Sequence, residues 1–154
     1  MAKREECQGD FNAIWKSRKE TVYNHWTPDK PRNQIQLAFH SHWKLFKEIL
    51  APRQTGTCLE VGCGRGSLSC FFAQYGWDCT LLDISPSVLC SAEEIFAAGC
   101  FEGRFVCGDV HALPFPDNSF NVVTSIGLLE HFEHVGPVMA EQLRVLEPGG
   151  TILA

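Results

Sequence analysis

The stretch Glu60-Val61-Gly62-Cys63-Gly64-Arg65-Gly66 sets a carboxylate ahead of three glycines at alternate positions. Two more carboxylates follow at intervals, Asp83 in "TLLDIS" and Asp109 in "VCGDV". Glycines without Cβ atoms let the chain turn sharply and let a ligand touch the backbone, while amides at the start of a following helix point outward as donors. The spacing is GxGxG: Ser67 stands where the dinucleotide pattern would have its third glycine, so a pyrophosphate is the weaker choice of ligand. Glu60 argues the same way, because its charge repels a diphosphate and attracts an ammonium group. Asp83 lies about twenty residues past the glycines, where an acid accepts hydrogen bonds from both ribose hydroxyls in nucleoside-binding sheets. Its plainer role would be a turn or capping residue beside Ser85. Asp109 could receive the exocyclic amino group of a base, with an adjacent backbone N–H on a ring nitrogen; alone it would be an ordinary loop aspartate.

The elements around these residues must place them together. Short apolar runs at Thr57–Val61, Cys79–Leu82, Phe105–Cys107, Val122–Ser125 and from Thr151 onward suit strands buried on both faces. Between them, Ser67 is placed to cap a helix carrying Leu68, Phe71, Phe72 and Tyr75 on one face, with Gly76 ending it. Ser85-Pro86 opens a second helix with Val88, Leu89, Ala92, Ile95 and Phe96 inward and Gly99 closing it, and a third runs from near Pro137 to Leu146 before "EPGG". Alternation of this kind predicts an α/β fold: a Rossmann-like, mostly parallel sheet of strands one to five with helices on both faces. Ligands of such sheets sit beyond the carboxyl ends of the strands, where the strand order reverses. Ahead of it, Phe11–Trp26 and Asn33–Leu50 have helical spacing and are separated by the proline-containing Thr27–Arg32. The expected organisation is a helical segment over residues 1–50 and a ligand-binding domain over 51–154.

The bulk composition is consistent with one soluble domain. The chain has 154 residues, 45% hydrophobic and 20% charged, and a net charge of −5 that offers no basic footprint for nucleic acid. No apolar run is long enough to span a bilayer, and the charged start "MAKREECQGD" does not read as a secretory signal, so the expectation is a cytoplasmic protein without membrane contact. Eight cysteines, none in a Cys-x-x-Cys pair, are expected to be reduced core residues.

The segment from about Thr57 to Ala154 resembles the class I S-adenosylmethionine-dependent methyltransferases, in the small-molecule branch that includes quinone-biosynthesis C-methyltransferases. "CLEVGCGRGSLS", "LLDIS", "GDVHALPFPDNSFNVVTSIGLLEHF" and "RVLEPGGTILA" carry the likeness, in that order. The resemblance implies S-adenosyl-L-methionine as cofactor and S-adenosyl-L-homocysteine as product. It implies Glu60 facing the methionine amino group, and Gly62, Cys63, Gly64 and Gly66 along the methionine and ribose. It further implies Asp83 on the ribose hydroxyls, Ile84 against the adenine, Asp109 and Val110 at the adenine edge, and Ser125, Ile126 and Gly127 beside the methionine. Within "LPFPDNSFNVV", Asp117 and Phe120 read as a turn and a core anchor, and "RVLEPGG" as a helix end and turn.

A sulfonium methyl is already electrophilic, so holding an acceptor in line behind it supplies most of the rate and no conspicuous catalytic residue is required. His131, after the fourth strand, is the nearest candidate base for a weakly acidic acceptor; packing is its more ordinary role. Glu130, His131, Glu133 and His134 lack the spacing of a metal set and suit a solvated turn, so no metal is expected. Tyr23 and Trp26 are the candidate acceptor contacts if the N-terminal segment forms a lid, and core cover if it does not. Members of the family usually continue beyond a fifth strand; this chain is expected to be C-terminally incomplete, with the open fifth-strand edge a surface for a homodimer. The alternative function is a noncatalytic cofactor-binding or interaction module, and the glycine spacing disfavours a nicotinamide oxidoreductase.

Overall fold

The computed structural model describes residues 26–51 and 53–154. Of the two helices expected ahead of the sheet, the first lies outside the described residues except for Trp26. The second is α1, Gln34–Ile49, capped by Asn33, whose side chain accepts from the Gln36 amide at 2.8 Å. The remaining elements are β1 Thr57–Val61, α2 Ser67–Gln74, β2 Asp78–Asp83, α3 Pro86–Ala98, β3 Gly103–Cys107, β4 Phe120–Thr124, α4 Gly136–Val145 and β5 Leu146–Leu153.

All five strands are parallel, in the order β3-β2-β1-β4-β5. The order therefore reverses between β1 and β4. Alternate strand residues face opposite layers, as the two-residue period of a strand requires. Cys58, Cys79, Leu81 and Val122 join Trp43 of α1, Phe71 and Phe72 of α2 and Phe96 of α3 in one core, and Leu59, Leu82 and Val123 join Val138 and Val145 of α4 in the other. His40 meets Phe71, Trp43 stacks on Phe71 and Lys47 reaches Tyr75, so α1 lies along α2 in the same direction. Among the described residues no helix is long and apolar enough to cross a membrane.

Three local expectations are corrected. The residue capping α2 is Gly66, in the left-handed region at φ 69°, and Ser67 is instead a buried first helical residue. A Cβ on Gly66 would overlap Leu81 Cδ2, which leaves no room for a capping side chain. The change Gly66→Ala combines that clash with a φ costly for any L-residue, and is expected to destabilise the domain by about 1–3 kcal/mol in urea unfolding. The "EPGG" turn is realised inside β5: pairing with β4 runs Phe120↔Leu146 and then Val122↔Thr151, so Glu147–Gly150 form an irregularity within the strand. Of the cysteines, Cys58, Cys63, Cys70 and Cys79 are buried, whereas Cys90, Cys100 and Cys107 are exposed, because they fall on the outer side of α3, in the turn after it and at the end of an edge strand.

The "LPFPD" loop before β4 is clamped by Arg144 of α4. Its guanidinium donates to the Leu113 and Phe115 carbonyls at 2.9 and 2.8 Å, to Asp117 at 2.8 Å and twice to Glu141 at 2.8 Å. Glu141 also accepts from the Leu113 amide, and Arg144 holds its carboxyl down to about 2. Asp117 and the buried Phe120 are scaffold, as their sequence context indicates.

Candidate functional site

The carboxyl ends of the strands close on one another through their backbones. The Gly62 and Cys63 amides donate to the Leu82 carbonyl at 2.8 and 3.0 Å, tying the glycine turn to the end of β2. The Gly64 amide donates to Asp83 Oδ2 at 3.0 Å, and the Asp83 carbonyl accepts from the Gly108 amide at 3.1 Å, which brings in β3. Gly62, at φ 69°, lies under the turn after β4, where a Cβ would stand 2.6 Å from Leu128 Cδ1. The bare backbone at Gly62, Gly64 and Gly66, each with positive φ, therefore serves both a tight turn and close packing.

Two carboxylates are buried here. Glu60 points from β1 into the layer of α2, where its Oε2 accepts from the Ser69 amide at 2.9 Å and from the Ser69 hydroxyl at 2.5 Å. Burial pushes its carboxyl up to about 7 despite those bonds, and the Asp83 charge adds to the rise. Asp83 Oδ1 accepts from the Ser85 amide at 2.9 Å while Oδ2 holds Gly64, so this residue is also the turn residue its plainer reading implies. Burial raises its carboxyl against the opposing pull of the Ser85 and Gly64 amides. A carboxylate offers about four acceptor positions, so engagement by backbone amides leaves it capacity for a ligand.

At the end of β3, Asp109 Oδ1 accepts from both the amide and Nδ1 of His111, each at 2.9 Å. Val110 is buried in the α4-side core, so only its backbone is placed to serve a ligand. Ile84 is half-buried between β2 and α3. After β4, Ser125 is buried, Ile126 half-buried, and Gly127 has φ 77°. The hydroxyls of Thr124 and Ser125 are buried without a hydrogen-bond partner among the described residues. His131 ends the short 3-10 turn Leu129–His131 and is exposed. Among the described residues no group of His, Cys, Asp and Glu is arranged to hold a metal ion.

One candidate stands apart from the rest. Trp26 is buried edge-on against Phe101, ring centroids 5.3 Å apart, in the turn before β3. It borders a groove of about 500 Å3 shared with Ile95 and Ala98 at the end of α3. That is the amino-terminal end of the sheet, opposite the strand tips, so Trp26 covers core and does not reach the site formed by the glycine turn. Tyr23 lies outside the described residues. Sequence reasoning missed Ser69 and His111. The signal for His111 was available, since an aspartate commonly bonds the amide two residues on.

A parallel sheet reversing between β1 and β4, with a glycine turn and carboxylates at the tips of its first three strands, defines a nucleoside-binding Rossmann-like domain. The chain belongs to the family described as "Methyltransferase domain", whose profile matches residues 59–154. It is 31% identical over 132 residues to the sterol 4-C-methyltransferase strm-1 of Caenorhabditis elegans, covering 84% of this chain and 40% of that protein. It is 38% identical over 98 residues to the 2-methyl-6-phytyl-1,4-hydroquinone methyltransferase of Synechocystis, covering 63% of this chain and 30% of that one. The chain thus spans less than half the length of either relative. Among solved structures, the PH0226 protein of Pyrococcus horikoshii superposes with a TM-score of 0.74 at 26% identity, over 88% of this chain and 61% of its own.

Family and fold imply S-adenosylmethionine as the cofactor. The residues present fit it. Two buried carboxyls, both raised by burial, favour a ligand bringing a cation and hydroxyl donors, and the Ser125 hydroxyl at the tip of β4 lacks a partner among the described residues.

Proposed function

We propose that this chain is the cofactor-binding part of an enzyme that transfers a methyl group from S-adenosylmethionine to a small-molecule acceptor, leaving S-adenosylhomocysteine. The observation that carries this reading is the bond from Gly64 N to Asp83 Oδ2, which joins the glycine turn and the second strand's carboxylate into one surface. When bound, the cofactor supplies a methyl already activated by the sulfonium. Gly62, Cys63, Gly64 and Gly66 form the floor on which it lies, Asp83 takes the ribose hydroxyls, and Ile84 packs on the base. Asp109 and the Val110 backbone hold the base edge, and Ser125, Ile126 and Gly127 flank the amino-acid part. Glu60 braces Ser69 and, through its charge, favours the ammonium group. Much of the acceleration then comes from orienting the acceptor and excluding water, with His131 the residue placed after β4 to take a proton if the acceptor carries one.

The relatives are named for methylating sterols and a hydroquinone, which makes hydroxylated ring compounds the first acceptors to try. The test supplies methyl-labelled cofactor with such a panel: label recovered in an acceptor supports the reading, and none from a folded, cofactor-saturated protein counts against it. The family match gives no support to a noncatalytic module. The division into residues 1–50 and 51–154, a cytoplasmic location and a homodimer belong to the same proposal. The dimer is supported by β5, which among the described residues pairs with β4 alone and leaves its other side open. A single monomeric species in concentrated sedimentation runs would exclude it.

A further inference from the structure

His111 bonds Asp109 but has no assigned role toward a ligand, and it is held from three sides. Its amide and its Nδ1 both reach Asp109 Oδ1 at 2.9 Å. Its ring stands edge-on to Phe132, centroids 5.2 Å apart at 81°. Phe132 closes the 3-10 turn after β4, so His111 spans from the third strand's tip to the fourth strand's loop. An aspartate with a side-chain relative exposure of 28% would otherwise be able to turn its carboxylate into water. With two donors from one neighbour on Oδ1, and that neighbour's ring backed by an aromatic wall, the carboxylate is fixed in a single orientation.

We propose that His111 is a selectivity residue for the base of the cofactor: by immobilising Asp109 it makes the third strand's tip accept a 6-amino purine and reject a 6-oxo purine. This rests on the assignment of Asp109 to the base edge. The chemistry is that of acceptors and donors. An ionised carboxylate only accepts, so it pairs with an exocyclic amino group and opposes an exocyclic carbonyl. Facing a 6-oxo base, a carboxylate held in place leaves two acceptors opposed, a repulsion it avoids only by swinging away. Removing the ring of His111 leaves the backbone amide as the single donor from this residue on Oδ1, and Asp109 gains freedom to swing away. The 6-oxo ligand then gains more than the 6-amino ligand loses.

The test is calorimetric titration with S-adenosylhomocysteine and with its inosine counterpart, S-inosylhomocysteine. The whole chain is used, as wild type, His111→Ala and His111→Asn. The wild type is expected to prefer the adenine compound by at least about tenfold, in line with the cost of an unsatisfied polar group. His111→Ala should reduce that preference by roughly threefold or more at an unchanged melting temperature. His111→Asn, whose amide nitrogen occupies the branch position of Nδ1 and still donates, should restore it. A preference in His111→Ala equal to that of the wild type overturns the role of His111 while leaving cofactor binding intact. Failure of the wild type to bind either compound overturns the cofactor reading itself, and this inference with it.

Discussion

Asp83→Ala is expected to weaken S-adenosylmethionine binding by about 1–3 kcal/mol, a factor of roughly 5 to 150 in the dissociation constant. Two losses act together. The ribose hydroxyls lose an anionic acceptor, and the glycine turn loses its anchor, because Gly64 N and Ser85 N both bond this carboxylate. Asp83→Asn separates the two. Its single carbonyl oxygen can hold one of these amides but lacks the charge, so it should bind with intermediate affinity. Calorimetry on the three proteins reads the order, and an alanine variant that binds as tightly as the wild type removes Asp83 from the cofactor site.

Glu60 should make the stability of the domain depend on pH in the opposite sense to an ion-paired carboxylate. Its folded value of about 7 lies above the ordinary 4.5, and the first cause is burial. Above pH 7 the group is charged in both states and the folded protein bears the full cost of burying that charge. As pH falls from 7 to 4.5 the folded state keeps a proton that the unfolded state does not hold, so stability rises across that window and levels off below it. The Glu60 contribution to the difference between pH 8 and pH 5 is expected to be roughly 2–3 kcal/mol. Glu60→Gln, which keeps an acceptor for Ser69 without the charge, should be more stable than the wild type at pH 8 and lose this part of the slope. Urea unfolding at the two pH values decides it, and parallel slopes in both proteins would contradict the assignment. A cationic ligand beside Glu60 would favour its ionised form, so cofactor binding near pH 7 should release protons, read from binding enthalpies in buffers of different ionisation heat.

Much of this architecture was legible because strand and helix periods differ and because glycine has so few uses. β1 falls at Thr57–Val61 as the apolar run indicates, and β2 and β3 extend their expected spans by only one or two residues. That a ligand site should lie just beyond the strand tips followed from a mostly parallel sheet, whereas the strand order and the bond from Gly64 to Asp83 are seen only in the structure. What escaped was settled by tertiary contacts. Ser67 has the chemistry of a cap, but Leu81 crowds the preceding position so that only glycine fits there. Pro148-Gly149 has the composition of a turn, and pairing with β4 on either side carries the strand through it. Trp26 precedes a proline break, which suits a lid, yet Phe101 receives it at the opposite end of the sheet. Cys107 ends an apolar run but sits on the outermost described strand, where one side has no neighbour among the described residues. Glu60 was placed by its charge, whereas the serine nine residues on that it holds lies on a helix face that only the packed structure brings to β1.

The most direct test is a calorimetric titration of this chain with S-adenosylmethionine and with S-adenosylhomocysteine. Saturable binding of both at one site per chain, lost or much weakened in Asp83→Ala, is the predicted result. A folded chain that takes up neither compound would contradict the claim that the glycine turn and the strand-tip carboxylates form a site for this cofactor.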